Sequence, residues 1–315
     1  MEHRQLDIFE DARDVALRND LADAVERADA TAARTAAAAL GREFSEDPLL
    51  LPTLRLIEYI EAQHDAEVQR HAPAQFDVAQ VLARRSELEG EIGAAVQALL
   101  GAQAARVWMA AQWRWLADRA REVPWQSSHS SHASHADAHA APLYLQAGDW
   151  AAAAEAAMGI ESWRRIPLPL LWAAQAQWRL GRRDGPDGAW PLLAEALWLA
   201  PARAAALIPQ LADPRLDKLV RGFEIGFETG FETDFDPATD RWSWLPAWAL
   251  VDQPKLLAAL AHADPPMDSP PAEAFGLVAA LLRLERQGRH HELIAHRRRL
   301  KALSETLFSA YMRTR

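Results

Sequence analysis

Hydrophobic positions along this chain recur at three- and four-residue intervals between Pro, Gly and Asp punctuation, and almost nowhere alternate as a strand requires. The pattern predicts an all-α protein. Asp14 to Ala28 and Ala30 to Phe44 read as two alanine-rich amphipathic helices joined near Asp29, with Pro48 closing the second because proline cannot continue a helix. Leu51, Leu54, Ile57 and Ile60 stand at helical spacing in a third helix, Leu49 to Ala62, and a longer pair runs from Phe76 to Ala120 with a break around Gly101. Between Glu122 and Pro142 the composition turns to Ser, His, Ala and Pro. Such a stretch buries too little to offset the entropy of ordering, so residues 126–140 are expected to be weakly ordered. The chain then divides into N-terminal helical hairpins or a bundle (1–122), a Ser/His-rich linker (123–141) and a C-terminal set of helices (142–315).

Past the linker, Leu143 to Ala147 turns at Gly148-Asp149 into Trp150 to Met158, and Pro167-Leu168-Pro169 opens a helix reaching Leu180. A turn from Gly181 to Gly188 precedes Ala189 to Ala200, stopped by Pro201. Near the end of the chain, Ala272 to Arg286 and His290 to Leu303 flank Gln287-Gly288-Arg289 as one more hairpin. Gly148, Asp149, Trp150 and Ala153, together with the closing run Ala196, Leu197, Leu199 and Pro201, resemble the tetratricopeptide repeat family over residues 141–201. The resemblance implies helical hairpins stacked as an α-solenoid, capped by the C-terminal hairpin. In such stacks a concave face holds peptides or helices without reactive side chains.

Half of the 315 residues are hydrophobic, enough for a sizeable core in either arrangement. The absence of cysteine excludes disulfides, thiolate nucleophiles and cysteine zinc sites, and a reducing, cytoplasmic setting is expected. Charged residues occupy the first positions where a signal peptide would be apolar, and no uncharged run reaches the length of a membrane span. The net charge of -10 opposes nucleic-acid binding over the whole surface, although the ends differ in sign. Residues 1–60 hold 7 Arg against 13 Asp and Glu, and residues 281–315 hold 9 Arg and Lys against 3 Glu.

Candidate chemistry is thin. His291 and His296 flank Glu292, but five-residue spacing sets the rings roughly 140° apart around a helix, whereas a zinc-protease pair needs four. His129, His132, His135 and His139 could meet on a helix, yet their Ser-rich context reads as disordered. Asp234, Asp236 and Asp240 do not match a calcium loop. Gly222-Phe223-Glu224 begins a four-residue repeat continued by Phe227, Phe231 and Phe235, read as a Phe stripe or an expanded loop. No acid, base and nucleophile support one another, so no catalytic residue, metal or cofactor is assigned, and an enzyme is the least favoured class. Trp242, Trp244 and Trp248 lie in a Pro-flanked segment where either core packing or an exposed partner groove fits.

One short motif is sharper. Gln5-Leu6-Asp7-Ile8-Phe9 resembles the linear peptides with which bacterial polymerases and repair proteins dock on the DNA polymerase III sliding clamp. In those peptides Gln enters a polar site and the apolar pair fills a hydrophobic pocket. On the competing reading Leu6, Phe9 and Val15 are buried at the start of the first helix. The expected function is a non-enzymatic interaction module or scaffold for a protein or peptide. An accessory role in bacterial DNA replication or repair through Gln5, Leu6, Ile8 and Phe9 is the alternative.

Overall fold

Asp29 ends one helix and begins the next. Its carboxylate accepts the backbone N–H of Ala32 at 2.9 Å, and Ala28 before it turns the chain through a φ of 53°. This junction belongs to a computed structural model that describes residues 8–68, 76–126, 134–228, 240–267 and 269–315, among which the regular structure is helical and no strand occurs. The protein is all-α over these residues, and none of their helices is long and apolar enough to cross a membrane. The chain forms two units, Met1–Asp149 and Trp150–Arg315.

The first unit contains α1 (Ile8–Glu26), α2 (Ala30–Glu43), α3 (Leu50–Val68), α4 (Val78–Glu87), a π-helical turn (Leu88–Ile92), α5 (Gly93–Arg119), α6 (Ser134–Asp137) and α7 (Ala140–Ala147). α1 packs on α2, α2 on α3, and α5 on α7, around Leu21, Leu40, Ile57, Val96, Leu116 and Leu143. On α3 the buried stripe differs from the one read in the sequence. Thr53, Leu56, Ile57 and Ile60 face inward, while Leu51 and Leu54 are exposed. The spacing 53, 56, 57, 60 is itself a complete helical face, rotated from the assumed one because Thr53 fills a core position.

The linker also proves partly ordered. Residues 134–140 carry α6, and Ala138, His139 and Ala140 are buried. Arg85 donates to the Asp137 carbonyl at 3.0 Å and pairs with its carboxylate, and the His139 Nδ1 accepts the Ala141 N–H at 3.2 Å to cap α7. Small side chains that bury little themselves are covered by neighbours, a gain that local composition does not express. Residues 127–133, with His129 and His132, lie outside the described residues.

The second unit contains α8 (Trp150–Met158), α9 (Pro167–Arg179), α10 (Ala189–Leu199), α11 (Pro201–Leu207), α12 (Pro214–Glu228), α13 (Leu245–Asp252), α14 (Leu257–Leu260), α15 (Pro270–Arg286), α16 (His290–Leu303) and α17 (Glu305–Arg313). α8 packs on α9, α9 on α10, α13 on α15, and α15 on α16. Pro201 starts α11 at its first position, where the missing N–H costs no helical bond. α13 is buried on all sides from Leu245 to Val251, which makes it the centre of this unit. Gly148 caps α7 in the left-handed conformation, and the first unit ends one residue later. The two helices joined by this turn thus find their partners in separate units, α7 on α5 and α8 on α9.

Candidate functional site

Two glycines three positions apart, Gly90 and Gly93, disturb the helical run that follows α4. Asp77 and Gln80 start that helix with a reciprocal capping box, at 2.8 and 3.0 Å. Ten residues later the backbone at Gly90 leaves helical geometry (φ -102°, ψ -113°) and the chain widens into a π-turn. A Cβ on Gly93 would stand 2.6 Å from the Leu88 carbonyl oxygen, so this turn requires glycine there. Leu88 and Ile92 anchor it in the core, leaving Glu89 and Glu91 outside. Turns of this kind recur at functional sites.

Beside the turn lies a cleft of about 550 Å³. α3 supplies Arg55, Glu58 and Tyr59, α4 supplies Arg84, Ser86 and Glu87, and the π-turn supplies Gly90, Glu91 and Ile92. Tyr59 is only 5% exposed and tilts against Trp108 at a centroid distance of 6.3 Å, while Trp108 is itself held by donation to the Val25 carbonyl at 3.1 Å. The Arg84 guanidinium sits 5.4 Å above the Tyr59 ring. The Tyr59 hydroxyl has no hydrogen-bond partner among the described residues. Burial pushes its ionisation far upward, so it stays a neutral phenol able to donate one hydrogen bond and accept others.

Charge surrounds this phenol in short, solvent-facing pairs, Arg55–Glu58 at 3.2 Å and Arg84–Glu87 at 2.8 Å. Pairs this exposed contribute little to stability and exchange readily for a ligand's charges. Glu91 adds a third carboxylate at the open side. The arrangement is a cleft with charges of both signs, a phenol hydroxyl and an apolar residue, Ile92.

The residues singled out in the sequence lie elsewhere. Gln5 and Leu6 are outside the described residues. Ile8 and Phe9 enter as the first backbone positions of α1, and their side chains are outside the described residues. Trp244 and Trp248 are buried in the second unit and Trp242 is half-buried, so the first two are core rather than walls of an open groove. The Phe223 ring packs against Trp242 at 5.6 Å and edge-on to Trp248 at 6.1 Å. His296 turns back to the Glu292 carbonyl at 3.0 Å, and no group of three metal-binding side chains forms among the described residues. Three of the basic C-terminal residues pair with groups of this chain: Arg297 with Glu285 and Tyr311, and, at the exposed surface, Arg299 with Glu273 at 2.6 Å and Lys301 with Glu305 at 3.6 Å.

Tyr59, Gly93 and Glu91 escaped the sequence reading. The signal was present as Glu89-Gly90-Glu91-Ile92-Gly93, two glycines inside a helical run where each weakens the helix. No protein-family model, curated protein or solved structure matches this chain.

Proposed function

We propose that the chain is a non-enzymatic interaction module, a helical scaffold of tetratricopeptide-like character that holds a peptide segment of another protein in the cleft beside the π-turn. The observation that carries this reading is the Tyr59 hydroxyl, buried on the cleft wall without a hydrogen-bond partner among the described residues. A buried polar group costs free energy until something binds it, and a ligand that supplies the missing hydrogen bond recovers that cost. The paired charges at the rim suit a peptide, whose backbone and side chains offer donors, acceptors and both signs of charge. The neutral phenol favours binding over proton transfer, because a tyrosine made less acidic is a poor general acid or base at neutral pH.

A peptide library displayed on phage and selected against the full chain tests this. Enriched peptides are expected to bind at about micromolar strength, near -8 kcal/mol. Binding should be lost in Ser86→Arg, which fills the cleft from an exposed position. A selection yielding no binder, or binders indifferent to Ser86→Arg at equal melting temperature, would overturn the reading.

A second reading, docking on a bacterial sliding clamp through residues 5–9, draws support from Val15. Burial of that residue was part of the competing core reading, yet it is half exposed on α1.

A further inference from the structure

In the second unit, a depression of about 320 Å³ lies between the end of α9 and the loop entering α12. Trp178, Arg179, Arg183, Leu211, Asp213 and Pro214 line it. Trp178 is 3% exposed, and its indole N–H meets no acceptor among the described residues. Arg183 stacks on the same indole with its guanidinium 3.9 Å from the ring centroid. It donates to the Trp178 carbonyl at 2.5 Å and to the Asp213 carboxylate at 3.1 Å. Arg179 is exposed at the rim, donating to the Gln210 carbonyl and lying 5.6 Å over the Trp150 ring.

What decides the chemistry is which capacity remains. Asp213, the single carboxylate among the described lining residues, already accepts hydrogen bonds on both oxygens. Oδ2 takes Arg183, and Oδ1 takes the backbone N–H of Arg215 at 2.9 Å and of Leu216 at 3.5 Å, capping α12. Indole and guanidinium groups donate and never accept. Among the described lining residues the side-chain hydrogen-bonding capacity left is therefore mainly donor capacity, with two cations set against one carboxylate that already accepts three hydrogen bonds, in a chain of net charge -10.

We infer that this depression binds a small oxyanion, a phosphate or a carboxylate, through the Trp178 indole N–H and the guanidinium groups of Arg179 and Arg183. Planar guanidinium groups match two oxygens of either anion at once. The indole sets the depth of the site, and the exposed Arg179 closes it. The site is independent of the cleft in the first unit and stands whether or not a peptide binds there.

The test follows the Trp178 indole N–H by NMR in the full chain, with inorganic phosphate and succinate as probes and sodium chloride at matched ionic strength as control. The resonance is assigned by its loss in Trp178→Phe, or by its displacement in Arg183→Lys should the first variant not fold. A saturable shift is expected with phosphate, succinate or both, which tells the two sources apart, and none with chloride. Arg179→Gln should weaken that binding about tenfold at an unchanged melting temperature. An indole resonance that neither anion shifts, that chloride shifts equally, or whose titration is untouched by Arg179→Gln overturns the proposal.

Discussion

The outer part of the Trp248 ring fills the space where a side chain of residue 226 would begin. A Cβ on Gly226 would stand 2.7 Å from its Cζ3 and 2.9 Å from its Cζ2, and closer still to Cη2. The glycines that open the first two Gly-Phe-Glu units, Gly222 and Gly226, both face this indole, but Gly222 only grazes it, its Cβ position being 4.0 Å from Nε1. The glycines that weaken α12 as a helix thus admit the aromatic core of α13, and Phe223 between them is fully buried.

Alanine at these two positions should act in opposite directions. Gly226→Ala is expected to destabilise the protein by about 1–3 kcal/mol, because the buried Trp248 ring has nowhere to move. Gly222→Ala meets only ordinary van der Waals contact and should stabilise by about 0.5–1 kcal/mol through helix propensity. Chemical denaturation of both variants measures the difference, and equal signs would remove Trp248 as the reason for the repeat.

Much of the helical framework was legible where a local signal coincides with a local cause. Trp150–Met158 and His290–Leu303 begin and end as read, each preceded by a glycine with positive φ, Gly148 and Gly288. What depends on distant partners was not legible. Thr53 is core because neighbouring helices cover it, and 134–140 is ordered because Arg85 and the cap at His139 hold it. The cleft was hidden for the same reason, since Tyr59 and Glu91 are 32 positions apart in the chain and meet only through the π-turn.

Arg164 and Glu195 give a second measurable relationship. The buried Glu195 carboxylate takes a bidentate grip from Arg164 at 2.7 and 2.9 Å and the Asp264 backbone N–H at 3.0 Å. Arg164→Met strands this carboxylate and should cost about 2–3 kcal/mol, below the range for fully buried pairs because the arginine is 31% exposed. Adding Glu195→Met should recover part of that loss. Thermal melts of the two single variants and the double variant check it, and strict additivity would deny the coupling.

His139 makes stability depend on pH. Burial pushes its pKa down from 6.5 to about 4 in the folded chain. Between those values the unfolded chain takes up a proton that the folded chain refuses, so stability is whole above about pH 6.5, falls as pH drops towards 4, and changes no further below it. The full loss is about 3 kcal/mol. His139→Asn keeps a helix cap and removes the titration, so its unfolding free energy should lose that slope, whereas a retained slope would assign it to other groups.

The residues that resemble a clamp-docking peptide are tested apart from the fold. A synthetic peptide spanning residues 1–12 is expected to bind a bacterial sliding clamp at about micromolar strength, with Leu6→Ala or Phe9→Ala abolishing it. If those side chains are core instead, the same changes in the full chain cost about 2–5 kcal/mol while the peptide binds nothing in calorimetry. That second outcome would sink the docking reading.

Tyr59 separates stability from function within one side chain. Its hydroxyl is buried without a partner among the described residues, so Tyr59→Phe removes a desolvated polar group and breaks no hydrogen bond seen among them. The variant should melt at the same temperature or higher, with a gain of up to about 1 kcal/mol. The ring contacts with Trp108 and Arg84 survive the change, so the shape of the cleft is kept. Peptides selected by the wild-type chain should nevertheless bind the variant about tenfold more weakly, because the hydrogen bond to the phenol exists only in the complex. A stability loss would show that the hydroxyl is already satisfied in the free protein. Unchanged peptide affinity would show that it is not part of the site.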